Sequence, residues 1–326
     1  MTDLATRVRS GLGSLVRALP VRVAIGGLDA VGAATLAHRQ AEHRIGDEVV
    51  SFAVPPADNA FRSRHLRMRL VGGTDLVVRT IGDGGWRSFE PPLPDAVLAV
   101  LREWPETMFD VGANTGLYAL IGAAAHHDVS VHAFEPVPDI VAFARDNFEL
   151  NWPMARRIRL HPHAVGDDDT SMQLHLPPPQ ADGTIETSAS LEATFKEQHH
   201  EALTVDVKRL DTVWVELGRP ATSLVKVDVE GAEHRVVAGA TALIETCRPI
   251  LAVEILERSE TEVFEALRTD ADYVPVTLSP WEAVVNRPVI EPEAIAPNQL
   301  LVPWERLDAL VARLRRRRGF VVTLLP

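Results

Sequence analysis

The chain has one cysteine in 326 residues, Cys247, which excludes an intramolecular disulfide and makes a reducing, cytoplasmic setting the expectation. Lysine is scarce: Lys196, Lys208 and Lys226 are the only three, so nearly all positive charge is arginine. The formal net charge of −12 speaks against a surface that coats nucleic acid, because polyanion binding needs a clustered positive field. No apolar run approaches the roughly 20 residues that cross a bilayer, and stable membrane insertion is not expected. The first residues carry arginines throughout and have no continuous apolar core, a poor match to a secretory signal.

What is present supports a sizeable core, with 46% apolar and 24% charged residues. Leu4, Val8, Leu12, Leu15, Val16 and Leu19 recur at helical spacing. They predict an amphipathic helix that docks on its own protein or on a second subunit, with a membrane surface as the rival. A homodimer would form through this helix. Leu307, Leu310, Val311 and Leu314 predict a second amphipathic helix, whose following arginine run is a solvated face. Three regions follow: an N-terminal accessory region over 1–60, helical and then extended; a main domain over 61–304; and a basic amphipathic helix and tail over 305–326.

Runs at 65–71 and 76–82 flank Gly72-Gly73-Thr74-Asp75, a hairpin signal. From residue 107 the pattern alternates between strand and helix. Strands are expected at 107–112, 129–136, 157–167, 223–231 and 249–256, with helices at 117–127, 139–151, 232–247 and 261–269. Closing strands follow at 273–279 and 298–304. Such βαβ alternation implies a parallel sheet with helices on both faces and a ligand crevice at the strands' C-terminal ends. The stretch 168–202 is less regular and reads as an insertion or a cover.

The first of these strands runs into FDVGANTG at 109–116. The glycine spacing matches neither the dinucleotide loop nor the nucleotide-hydrolase loop, and no lysine follows to hold phosphates. Gly112 and Gly116 permit a tight turn and a close backbone approach to a ligand. Asp110 would repel a pyrophosphate and favour a cation, such as the sulfonium and amino group of S-adenosylmethionine (SAM). Glu135 ends the second strand, where a carboxylate can accept both hydroxyls of a ribose; capping the next helix is its alternative role. Asp167, ending the third strand, is a candidate for the adenine amino group, with a solvated acidic turn as the alternative.

FDVGANTG, then VHAFEP, then LVKVDVEGAE resemble the FkbM family of SAM-dependent methyltransferases. AVGD, VKRLD, AVEI and NQLLVP follow the same order, and the resemblance covers roughly residues 75–303. It implies an α/β fold, a Rossmann-like seven-stranded class I methyltransferase sheet, here with an N-terminal helical and β-hairpin extension. It also implies methyl transfer from SAM to a hydroxyl of a small molecule: a sugar, a glycosylated natural product or a polyketide. A surface glycan or glycolipid precursor is the alternative acceptor. An NAD-dependent sugar-modifying enzyme and a non-catalytic SAM-binding protein are the rivals from other classes. Carried over, Asp110, Gly112, Asn114 and Gly116 correspond to the methionine-end loop and Glu135 to the ribose acid. Asp228, Glu230 and Glu233 stand in the K-x-D-x-E-G-x-E motif, facing the acceptor.

Transfer to a hydroxyl needs alignment and removal of a proton. The candidates for the base are Asp228, then Glu230, then His234; a structural role, with Lys226 neutralising Asp228, is the alternative. Glu254 with Asp228 could hold a divalent cation, since hard oxygen ligands suit Mg²⁺. The pairs His126-His127 and His199-His200 have no zinc spacing, and Tyr118 reads as helix core, with packing beside the cofactor as the alternative.

Overall fold

The computed structural model describes residues 49–55, 64–69, 76–176, 201–256, 259–280, 282–285, 290, 297–316 and 321–325. The helix expected near the N-terminus, the turn at 72–75, His199-His200 and most of the cover over 168–202 lie outside them.

Among the described residues, nine strands form the main sheet. Its centre is β3 (Thr107–Val111), flanked on one side by β4 (Val131–Phe134) and β5 (Ile158–His161). On the other side stand β9 (Thr222–Val227), β10 (Ile250–Glu254), β13 (Asn298–Pro303) and β11 (Tyr273–Leu278). β13 runs antiparallel to both of its neighbours, while β5, β4, β3, β9 and β10 are mutually parallel. These seven strands are the expected sheet. Beyond them, β12 (Glu282–Val285) and β14 (Val321–Leu324) extend the β11 edge.

Alternation along the strands sends side chains into two cores. Met108, Val131, Leu224, Ala252 and Leu300 meet α2 (Leu93–Glu103), α3 (Leu117–Ala125) and α9 (Trp304–Leu314). Phe109, Val111, Val225, Val227 and Val253 face α5 (Leu210–Glu216), α6 (Glu233–Ala238), α7 (Thr241–Cys247) and α8 (Glu262–Asp270). Every residue of β3 is buried, as expected for a strand covered on both faces. Fully burying such an apolar side chain is worth about 1.5–3 kcal/mol.

Four elements differ from expectation. The run 76–82 is not a strand but the start of α1 (Leu76–Gly84). Val77, Val78 and Ile81 are all buried, a set that shares one face only in a helix, so packing overrides the β-branched composition. The antiparallel pair is instead β1 (Val49–Val54) with β2 (Arg64–Arg69). The stretch 157–167 divides between β5 of the main sheet and β6 (Ala164–Gly166) of a small second sheet. There β6 pairs with β8 (Glu201–Arg209), which also pairs with β7 (Thr170–Leu176), so part of the irregular stretch is regular strand.

The helix expected over 232–247 breaks into α6 and α7. The Asp211 carboxylate accepts from Ala242 N at 3.1 Å and Leu243 N at 2.9 Å, satisfying the free amides of a new helix start. No helix among the described residues is long and apolar enough to cross a membrane.

Candidate active site at the carboxyl ends of the central strands

β3 ends at Val111 and turns through Gly112, Asn114 and Gly116, which hold left-handed φ values of 78°, 51° and 91°. A Cβ on Gly112 would stand 1.8 Å from the Asp228 carbonyl oxygen, and one on Gly116 would stand 2.6 Å from the Phe148 ring. The turn is as tight as expected, but the close approach is to the chain itself. The missing side chains make room for the end of β9 and for α4 (Pro138–Leu150).

Glu135 fastens this turn. Its Oε2 accepts from Asn114 N at 3.1 Å and its Oε1 from Val137 N at 2.9 Å, just before α4. The carboxylate therefore holds the residue that leads into the following helix, and it ties the glycine turn to the end of β4 as well. Burial pushes its pKa up to about 7, against the pull of the two amides.

Asp110 is fully buried, and neither carboxylate oxygen has a hydrogen-bond partner. Lys226 Nζ faces it as an ion-pair partner from 4.0 Å away. Burial raises Asp110 to about 6; Lys226 and the Ala119 amide, the latter short of hydrogen-bond geometry, pull the other way. An orphaned buried carboxylate costs free energy unless a ligand group answers it.

Lys226 reaches Asp228 Oδ2 at 3.0 Å and lies 4.8 Å from the centre of the Tyr118 ring. Burial opposes its charge, but Asp228, Asp110 and Glu90 together keep it protonated well beyond the usual lysine range. Asp228 keeps an opening toward solvent, its side chain 23% exposed. Glu254, half-buried at the end of β10, is pushed up to about 10 by burial and by the charges of Asp228, Glu90, Glu230 and Glu233.

The other candidates divide. Glu230 is half-buried with φ 59° in the loop after β9. Glu233 is wholly buried, and its Oε1 accepts from Val229 N at 3.2 Å and Gly231 N at 3.0 Å. Through Oε1 it braces the loop, while Oε2 is buried with no hydrogen-bond partner. His234 is half-buried, with Nε2 3.7 Å from Glu260. Asp167 follows β6 in the second sheet and pairs with Arg235 Nη1 at 3.5 Å.

Two residues outside the expected set, Glu90 and Tyr118, join the site. The Tyr118 hydroxyl donates to Glu90 Oε2 at 2.7 Å. Burial first, then Asp228, raise Glu90 to about 7. Nothing in the string around 90 signals this, because its partners arrive from α3 and β9.

Among the described residues, the one group of three candidate metal ligands with converging atoms is His126, His127 and Asp128, at the other end of α3. Asp228 and Glu254 are not part of such a group. A cavity of about 540 Å³ lined by Trp214, Thr222, Cys247 and Arg306 also lies at the far end of the sheet, where β9 begins.

Residues 110–278 match the model of the methyltransferase FkbM domain. The chain belongs to the FkbM methyltransferase family. Over 158 residues it is 31% identical to the 31-O-demethyl-FK506 methyltransferase FkbM of Streptomyces tacrolimicus, covering 41% of this chain and 59% of that one. Over 192 residues it is 26% identical to the 2-O-methyltransferase NoeI of Sinorhizobium fredii (strain NBRC 101917 / NGR234), covering 55% and 75%. The chain thus spans little more than half the length of the first of these relatives. A solved FkbM methyltransferase from Methylobacillus flagellatus KT is similar at 19% identity and a TM-score of 0.40, covering 60% of this chain and 43% of that chain. The FkbM domain holds Asp110, Glu135, Asp228 and Glu254; Glu90 lies upstream of it.

Proposed function

We propose that this chain is a SAM-dependent O-methyltransferase acting on a hydroxyl of a small molecule, a sugar or a glycosylated natural product. The observation that carries this reading is Asp110, fully buried at the glycine turn with neither oxygen hydrogen-bonded and with Lys226 facing it from 4.0 Å. A site that leaves such a carboxylate open suits a cationic cofactor and opposes the pyrophosphate of a dinucleotide. The names of the two relatives, both O-methyltransferases, favour oxygen as the acceptor atom.

SAM supplies an electrophilic methyl on a sulfonium. Asp110 and the turn over Gly112–Gly116 would hold its amino-acid end, and Glu135 its ribose. Glu135 still has acceptor capacity, since a carboxylate offers about four lone-pair sites and two amides use only part of them.

On the acceptor side the chain must fix an oxygen in line and take its proton. Alignment contributes roughly 7–11 kcal/mol in favourable cases and a general base about 10²–10⁴-fold, so positioning contributes more. Asp228 is the base of choice because it is open to the crevice and oriented by Lys226 at 3.0 Å. Glu230 and His234 remain the reserve candidates, and Glu233 keeps a bracing role.

The acceptor class is tested by incubating the protein with methyl-labelled SAM and a panel of sugars and glycosylated natural products. Label should enter an ether that resists mild base. Label in an amine or a carboxylate ester would overturn the assignment to a hydroxyl.

A further inference from the structure

Glu90 is placed at cost. Its backbone has φ 47°, a left-handed conformation unusual for a glutamate, and its carboxyl shares a half-buried site with other acids. Strain and like charge together disfavour a side chain that only fills space.

Two observations give the placement a purpose. First, the Tyr118 hydroxyl holds Glu90 Oε2 at 2.7 Å while the Tyr118 ring lies against Lys226. Tyr118 sits two residues after Gly116, so the orientation of Glu90 is referred directly to the glycine turn. Second, the charges acting on Glu90 come from both halves of the site: Asp110 at the donor turn, and Asp228 and Lys226 at the acceptor end of β9. Lys226, against the Tyr118 ring, lies 4.0 Å from Asp110 and 3.0 Å from Asp228, so the Glu90 carboxylate is tied to the link between the donor turn and the acceptor end of β9. Buried Asp110, with neither oxygen hydrogen-bonded and Lys226 4.0 Å away, adds a further carboxylate to the same region.

Resting on the donor assignment made above, we infer that Glu90, supplied from outside the FkbM domain and oriented by Tyr118, is a donor-contacting residue that answers the sulfonium end of SAM. Tyr118 is its positioning residue. The product, S-adenosylhomocysteine, keeps the amino-acid and nucleoside parts of SAM but carries no charge on sulfur. Glu90 thus helps the site hold the donor more tightly than the product.

The test is calorimetric titration of the full chain with SAM and with S-adenosylhomocysteine, comparing wild type, Glu90→Gln and Tyr118→Phe. Glu90→Gln keeps the shape of the side chain, and thermal melting checks that each variant is folded. The inference expects Glu90→Gln to weaken SAM about tenfold, which is roughly 1.4 kcal/mol, while the product changes little. Tyr118→Phe should shift the same ratio in the same direction by a smaller factor.

Equal loss for both ligands would move Glu90 to the shared amino-acid end and overturn the inference, as would unchanged binding of both. If Glu90→Gln is unfolded, the Tyr118→Phe ratio decides alone: an unchanged ratio overturns the inference. Failure of the wild type to bind either ligand would instead sink the SAM assignment itself.

Discussion

The backbone amide of Asn114 donates to Glu135 Oε2 at 3.1 Å, so the glycine turn at the end of β3 hangs on a carboxylate at the end of β4. One side chain thereby holds the turn in shape, and the function proposed above also gives it the ribose of SAM. Glu135→Ala should lower SAM affinity by about 100-fold, the equivalent of about 3 kcal/mol of hydrogen bonding to a charged group. Amide exchange over Gly112–Gly116 should quicken in the same variant. Wild-type affinity would remove the ribose role, and unchanged exchange would remove the anchoring role.

Asp228→Asn should separate chemistry from binding. Turnover should fall about 10²–10⁴-fold, the usual worth of a general base, with SAM affinity changing far less. Normal turnover on the true acceptor would transfer the base role to Glu230 or His234.

The raised carboxyl groups predict a pH dependence of stability with a definite sign. Asp110 at about 6, Glu90, Glu135 and Glu233 at about 7, and Glu254 at about 10 all bind protons more tightly folded than unfolded. The stability they contribute is full below their unfolded values and is lost as pH rises through the folded ones. His126, His132 and His161, all lowered by burial, act in the opposite sense up to the ordinary histidine value. The five acids outnumber them, so the Tm of the unliganded protein should fall between pH 5 and pH 8. Glu254→Gln should raise Tm at pH 8 by about 1–2 °C, the shift that about 1 kcal/mol gives a chain of this size at the usual unfolding entropy per residue. A Tm that climbs across this range would contradict the burial of these acids.

Gly112→Ala tests the turn itself. The new Cβ would meet backbone, the Asp228 carbonyl at 1.8 Å, which cannot rotate aside. Backbone strain alone should cost about 1–3 kcal/mol, read as a loss of stability by denaturant unfolding. A neutral substitution would mean that the two strand ends stand further apart.

The parts legible in the sequence were those with local signals. FDVGANTG, the strand–helix alternation from 107 onward and the acids ending β4, β9 and β10 all follow from short-range spacing. What was lost depended on distant contacts. Val77, Val78 and Ile81 read as strand because their β-branched character is local, whereas the core they share is not. The break before α7 needed Asp211, a residue far back in the chain. Glu90 had no local mark at all, since a glutamate before two prolines says nothing about a tyrosine on α3. Glu233 looked like a free acid in a motif, but two amides of its own loop claim it.

The central claim is that the turn around Asp110 binds a cationic methyl donor, and calorimetric titration with SAM and with NAD tests it most directly. The account predicts saturable binding of SAM at one site per chain, sharply weakened by Asp110→Asn, and no binding of NAD. Binding of NAD with indifference to SAM would contradict it.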